Sequence, residues 1–255
     1  PVFELPPPVL ELRDACLNLG NRRVLKHCDL CLYPGEVLAI VGPSGAGKSS
    51  LLNVLSGRQA PSTCALFQLQ GQDVRASEHH TVLQLRRRAT GYVAQDAHQA
   101  LDLHLSAAAN IARRLFDLGL NHAGDALTQA RSWIERLGLA PGRAHEPVIQ
   151  FSGGMRQRIQ IAAAMVHGPS VLFLDEPTSG LDSVAQAALI DILMQLKHER
   201  ATSMLFVTHD LRLARLIADR ALVMDQGRIV SEAVIDRLLT EPDHPTAQAL
   251  VKAVL

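Results

Sequence analysis

Aromatic side chains are scarce in this 255-residue sequence: one Trp, two Tyr and six Phe. Its four cysteines, Cys16, Cys28, Cys31 and Cys64, are too few and too irregular for a disulfide framework. No apolar run approaches the ~18 residues that cross a bilayer. The N-terminal residues also lack the basic-then-apolar pattern of a secretory signal. Charge of one sign is not in excess, with 25 basic against 25 acidic residues, so no global field draws nucleic acid or an anionic membrane. What remains is a chain with 47% apolar residues, long enough to bury a core without staples. The expectation is a cytoplasmic α/β protein that does not bind nucleic acid.

Cys28 and Cys31 form a CxxC beside His27. The segment Cys28–Tyr33 reads as a strand, where residues three apart face opposite sides. No second cysteine pair completes a zinc site, so the thiols are read as ordinary buried side chains.

The chain alternates strand and helix signals. Residues 1–8, with Pro6-Pro7-Pro8, read as an extended lead-in, and residues 9–255 as one domain. Val9–Arg13 and Leu30–Tyr33 are β-like. Val37–Val41, Val171–Leu174 and Met204–Val207 are short apolar runs of the kind expected for strands covered on both faces. Leu66–Leu69 and Thr90–Ala94 are further strands. Helices are expected at Ser50–Leu55, Gly154–Val166, Ser183–Leu196 and Leu211–Ala218. Ala221–Met224 and Arg228–Val230 read as a hairpin about Asp225–Gly227. The pattern turns helical from about Leu101 to Gly138, making residues 96–155 an inserted helical subdomain. A helical tail covers about 231–255. Alternation of this kind implies parallel βαβ units.

The sharpest motif is Gly42-Pro43-Ser44-Gly45-Ala46-Gly47-Lys48-Ser49-Ser50, directly after a strand and before a helix. Its glycines let successive N–H groups curl toward phosphate oxygens, with a helix dipole behind them. Lys48 reaches the β- and γ-phosphates and the Ser49 hydroxyl suits Mg²⁺. Only four of the 25 basic residues are lysine, and a compact ammonium fits between phosphates where a guanidinium would crowd them. A second apolar strand ends in Asp175-Glu176: Asp175 is placed to hold Mg²⁺ and Glu176 to polarise an attacking water. Gln95 and His209 follow two other strands, at the sheet edge where ligands of parallel sheets bind. Gln95 is expected to offer its amide oxygen to Mg²⁺ or water, and His209 a hydrogen bond to the γ-phosphate. Ser152-Gly153-Gly154-Met155 opens a strong helix and forms a second anion-binding N-terminus. Two anion sites in one chain make sense if the second faces another subunit's nucleotide.

These residues resemble an ATP-binding-cassette (ABC) ATPase subunit: GPSGAGKSS at 42–50, Gln95, FSGGMRQR at 151–158, VLFLDEP at 171–177, SGLD at 179–182 and THD at 208–210, in the family's order. The resemblance implies a P-loop, RecA-like α/β core with an antiparallel β subdomain and an inserted helical subdomain. It implies MgATP held between the phosphate loop of one subunit and Ser152–Met155 of a second, in a homodimer or a heterodimer with another ABC subunit. It also implies Glu176 as general base, His209 as switch residue, and Ser179, Gly180, Leu181 and Asp182 as a loop at the dimer interface. Within the family, residues 103–115, 151–162, 214–230 and 241–250 resemble ATPase subunits of the bacterial carbon–phosphorus lyase system. That resemblance implies lyase core subunits as partners. Residues 241–250 are also similar to oligopeptide and nickel importer ATPases, whose partners are permeases, which would place the protein at the inner membrane.

Two departures stand out. ABC ATPases carry an aromatic on an early loop that stacks on adenine, whereas Leu17–Gly20 here reads Leu-Asn-Leu-Gly, and Tyr33 is a poor substitute. Ala163 stands where relatives carry Arg after the Ile-Ala pair of the signature helix.

Overall fold

The computed structural model describes residues 6–75, 80–120, 122–199 and 201–253; most of the expected lead-in, residues 1–5, lies outside them. The chain opens with β1 (Leu10–Leu19) and β2 (Arg22–Leu32), followed by β3 (Val37–Val41) and α1 (Lys48–Leu55). Next come β4 (Leu66–Leu69), β5 (Gln72–Asp73), α2 (His80–Ala89) and β6 (Thr90–Val93). A helical block holds α3 (Ala97–Ala100), α4 (Ala107–Asp117), α5 (Ala123–Arg136) and α6 (Gly153–Met165). The core then resumes with β7 (Val171–Asp175), α7 (Ser183–Glu199), β8 (Ser203–Val207) and α8 (Leu211–Ile217). It ends with β9 (Arg220–Asp225), β10 (Arg228–Val234), α9 (Ile235–Thr240) and α10 (Pro245–Lys252).

Two sheets form. One is antiparallel, in the order β2-β1-β4-β5; the other has six strands in the order β10-β9-β3-β8-β7-β6. In the larger sheet β9, β3, β8, β7 and β6 are mutually parallel, and only β10 runs against its neighbour. The apolar runs are explained by burial on both sides. Val37, Ala39, Leu172 and Leu174 pack toward the helical block and α7. Leu38, Ile40, Phe173 and Leu205 pack toward α1 and the antiparallel sheet. A strand buried twice loses the alternation of a half-exposed one.

Several expectations are corrected. The first two strands are much longer than Val9–Arg13 and Leu30–Tyr33, and they pair as one hairpin with register shifts. At the irregularity Asp14 and His27 take positive φ, and His27 Nδ1 lies 2.6 Å from Asp14 Oδ1. The helix expected from Leu101 begins only at Ala107, capped by the Ser106 hydroxyl, which accepts from Ala109 N. The Asn110 side chain occupies the backbone before it, donating to the Asp102 carbonyl and accepting from Asp102 N. Helix α2 was not anticipated. All four cysteines are free, with Cys28 buried and Cys31 half-buried, as alternate faces of a strand require.

Candidate functional site

Four parallel strands deliver the motif residues to one sheet edge. β3 runs into the Gly42–Gly47 loop, β6 into Gln95, β7 into Asp175-Glu176 and β8 into Thr208-His209. The register is explicit: Asp175 pairs with Val207, Glu176 N donates to the Val207 carbonyl at 3.0 Å and Thr208 N to that of Ile40 at 3.1 Å.

The loop is held from inside. A Cβ on Gly42 would lie 2.2 Å from the Met224 carbonyl oxygen, so only glycine allows the chain to turn there. Lys48, 7% exposed, donates through Nζ to the carbonyls of Gly42 (2.9 Å) and Pro43 (3.0 Å). Burial holds the Lys48 ammonium below its usual pKa, opposed by the nearby Glu176 and Asp175 carboxylates. Pro43, Ser44 and Gly45 are exposed, Ala46 is buried, and Ser49 is exposed on the first turn of α1 with Ser50 half-buried.

Ser49 Oγ donates to Asp175 Oδ1 at 3.2 Å, and the Tyr92 hydroxyl faces Asp175 Oδ2 at 3.4 Å. Burial pushes the Asp175 carboxyl up despite those two bonds. Burial, then the Asp175 charge, raises Tyr92 to about 12. A hydroxyl and a half-buried carboxylate side by side form a hard oxygen donor set, and a small divalent cation such as Mg²⁺ fits it.

Glu176 has φ 43°, outside the usual range for a non-glycine residue. Its Oε2 lies 3.3 Å from His209 Nδ1 and 3.4 Å from Gln95 Nε2. Gln95 Nε2 also donates to Ser179 Oγ at 3.3 Å. The Gln95 amide nitrogen thus faces the carboxylate, which can only accept, and its oxygen is the amide's other end.

A cleft of about 630 Å³ gathers Ser44, Gly45, Gly47, Lys48, Ser49, Ser50, Gln95, Glu176 and His209. Ser152–Met155 do not line it. Ser152 caps α6, with its hydroxyl facing Met155 N at 3.4 Å; Ser152 and Gly153 are exposed, Gly154 is buried and Met155 half-buried. Asp182 accepts from Ala185 N at 2.8 Å, which secures the start of α7, and Gly180 and Asp182 are exposed with Leu181 half-buried.

The cleft's remaining wall is Leu19, within the early loop singled out from the sequence, together with Arg22 and Val24 of the same hairpin, which sequence reasoning missed. The hairpin reaches it because Lys26 N donates to the Gly227 carbonyl at 2.8 Å. Tyr92 was missed as well, with Arg58 stacked 3.6 Å from its ring centroid. Tyr33 does not line the cleft; its ring packs near Arg220, 5.6 Å away.

A phosphate loop, a strand-end carboxylate pair, and a glutamine and histidine aimed at the same carboxylate define a P-loop nucleoside-triphosphatase site on a cassette fold. The sequence pattern described as ABC transporter matches residues 25–179, and the chain belongs to the ABC transporter ATPase family: it binds and hydrolyses ATP. It is 42% identical over 224 residues to the putative phosphonates utilization ATP-binding protein PhnK of Escherichia coli (strain K12), covering 88% of each chain. It is 31% identical to the methionine import ATP-binding protein MetN of Brucella abortus (strain 2308), over 99% of this chain and 68% of that one. Its structure is similar to that of the dimeric ATP-binding cassette MJ0796 in a post-hydrolysis state bound to ADP and Pi. The TM-score there is 0.79 at 26% identity, covering 89% of this chain and 98% of the other.

Proposed function

We propose that this ABC ATPase powers conformational change in an assembly that degrades phosphonates, with carbon–phosphorus lyase core subunits as its partners. The observation carrying this reading is the 42% identity to PhnK, extending over 88% of both chains.

In the proposed cycle, Gly42–Ser50 cradle the triphosphate. Lys48 redirects its ammonium from the Gly42 and Pro43 carbonyls toward the β- and γ-oxygens. Ser49, Asp175 and Gln95 would hold Mg²⁺, which supplies charge neutralisation on the phosphate oxygens. Glu176 accepts a proton from water as the water oxygen bonds to the γ-phosphorus and the bond to the β-phosphate oxygen breaks. His209, 3.3 Å from Glu176, orients that carboxylate and donates to the γ-phosphate. Ser152–Met155 of a second cassette close over the nucleotide, and Ser179–Asp182 line the junction. The dimeric state of MJ0796 supports the pairing of two cassettes.

A second reading is the motor of an importer, favoured by the 31% identity to MetN over 99% of the chain. Native purification followed by identification of stable partners separates the two. Phosphonate-lyase subunits support the first reading; polytopic permeases overturn it in favour of the second.

A further inference from the structure

The pairing of β1 with β2 is broken twice in succession, and the two breaks cancel. β1 carries one extra residue between Leu12 and Ala15, and β2 one extra between Leu25 and Cys28, so the ladder returns to its starting register. Bulges re-aim the side chains they carry. Asp14 (φ 51°) and His27 (φ 52°) lie in these two bulges, and both side chains meet at Cys16. Among the described residues, Asp14, Cys16 and His27 form the one group of His, Cys and acidic side chains whose ligand atoms all lie within 4.8 Å of one another. His27 Nδ1 is 2.6 Å from Asp14 Oδ1, and His27 N donates to Cys16 Sγ at 3.4 Å. Backbone bonds hold the group from outside: Asp14 N donates to Asp29 Oδ1 at 2.7 Å, and Cys16 N to the Thr63 carbonyl at 2.8 Å. Cys16 is buried while Asp14 and His27 are exposed, which leaves one side of the group open to water.

We propose that Asp14, Cys16 and His27 bind a zinc-like divalent ion, at a site separate from the magnesium of the nucleotide cleft. One sulfur, one nitrogen and one oxygen donor match zinc chemistry. Bonds of about 2.0–2.3 Å put neighbouring ligands about 3.3–3.6 Å apart, so shifts of about 1 Å close this set on one ion. On binding, Cys16 gives up its thiol proton to solvent, and its thiolate and the Asp14 carboxylate balance the dication. Neutral His27 supplies one ring nitrogen, and water takes the fourth position. Magnesium selects oxygen donors instead, and none of the three residues lines the nucleotide cleft. The CxxC thiols are engaged elsewhere: Cys28 Sγ donates to the Gly227 carbonyl at 3.4 Å, and Arg13 donates to Cys31 Sγ at 3.1 Å. The ion ties β1 to β2 where their ladder is interrupted.

The test is titration of the full chain, reduced, freed of metal by chelator and held in excess magnesium, with cobalt(II) as the spectroscopic substitute for zinc. A thiolate-to-cobalt charge-transfer band should saturate at one equivalent with a Kd of about 1 µM or tighter, and added zinc should abolish it. The oxygen donors of Ser49 and Asp175 contain no sulfur and give no such band. Cys16→Ser should remove the band, and Asp14→Asn and His27→Asn should each weaken cobalt binding by at least about tenfold. Asn tolerates the left-handed backbone of both exposed positions, so these two variants fold even if Cys16→Ser does not. Cys31→Ser and Cys64→Ser should leave the band unchanged. Zinc should also raise the Tm of the wild type but not that of His27→Asn, because only a folded-state site stabilises by mass action. Absence of the band from the wild type overturns the proposal, as does a band of unchanged affinity in Asp14→Asn and His27→Asn.

Discussion

His209 Nδ1 lies 3.3 Å from Glu176 Oε2, although the two residues follow different strands. Glu176 is the less exposed partner, at 21% against 68% for the histidine, and Gln95 approaches the same oxygen from a third strand. In the proposed cycle this carboxylate, held from two sides, receives a proton from a water on the phosphate side. Glu176→Gln keeps the shape and removes the basicity. Steady-state phosphate release should fall by ~10²–10⁴, the range for a positioned general base, with ATP affinity retained in equilibrium titration. Near-normal turnover would remove Glu176 from the mechanism.

Lys48 has a double part, since its Nζ ties the Gly42 and Pro43 carbonyls and sits at the base of the phosphate cradle. Lys48→Ala therefore loses both the cation and the loop's internal brace. ATP binding and hydrolysis should fall together, by at least about tenfold in Kd for one lost charge-assisted contact. A variant that binds normally but turns over slowly would confine Lys48 to the chemical step.

Much of this site was legible because its residues are fixed by covalent spacing or by a strand end. Gly42–Ser50 follow a run, Val37–Val41, that is buried on both sides and cannot be mistaken for a half-exposed strand. Asp175 and His209 inherit their places from two further runs of the same kind. Less legible were features that depend on irregular pairing. The alternation of β1 and β2 breaks where Asp14 and His27 take positive φ, which hid most of the hairpin. Helix α2 fully buries only Ala89 among its ten residues, with Val82 and Leu85 half-buried on the same face, a three-residue stripe too short to stand out as periodicity. Arg22 and Val24 enter the cleft through tertiary docking of their hairpin on Gly227.

Ser152 is exposed on the first turn of α6, outside the cleft of its own chain. Ser152→Arg places a bulky cation where a second cassette's nucleotide would dock. Hydrolysis should drop to background while ATP affinity of the isolated chain changes by less than about threefold. Loss of binding by the monomer would contradict the two-chain site.

His167 lies in the turn after α6, with Nε2 3.1 Å from the Thr90 carbonyl. Nδ1 is buried without a partner. Burial, reinforced by the Arg114 charge, lowers its pKa from 6.5 to about 4. The folded state therefore refuses a proton that the unfolded chain accepts below 6.5. Stability is full above that pH and declines as pH falls toward 4. Discounting for partial exposure, wild type should lose about 1–2 kcal/mol from this residue by pH 5. His167→Gln, which can still donate to Thr90, should show that much less acid sensitivity in urea midpoints between pH 7.5 and 5. Parallel curves for the two proteins would show that His167 titrates alike in both states.

Gly91 lies where β6 meets α6, and a Cβ there would fall 2.3 Å from the Ala164 carbonyl oxygen and 3.1 Å from Leu172 Cδ1. The first obstacle is helix backbone, which cannot swing aside as a side chain could. Gly91→Ala should therefore force β6 and α6 apart, at a cost of about 1–3 kcal/mol for overpacking. Because β6 leads directly into Gln95, the same displacement should move the amide relative to Glu176. Urea unfolding should report the lost stability, and ATPase turnover of the folded fraction should fall with it. A stable variant of normal turnover would mean that the helix yields without disturbing Gln95.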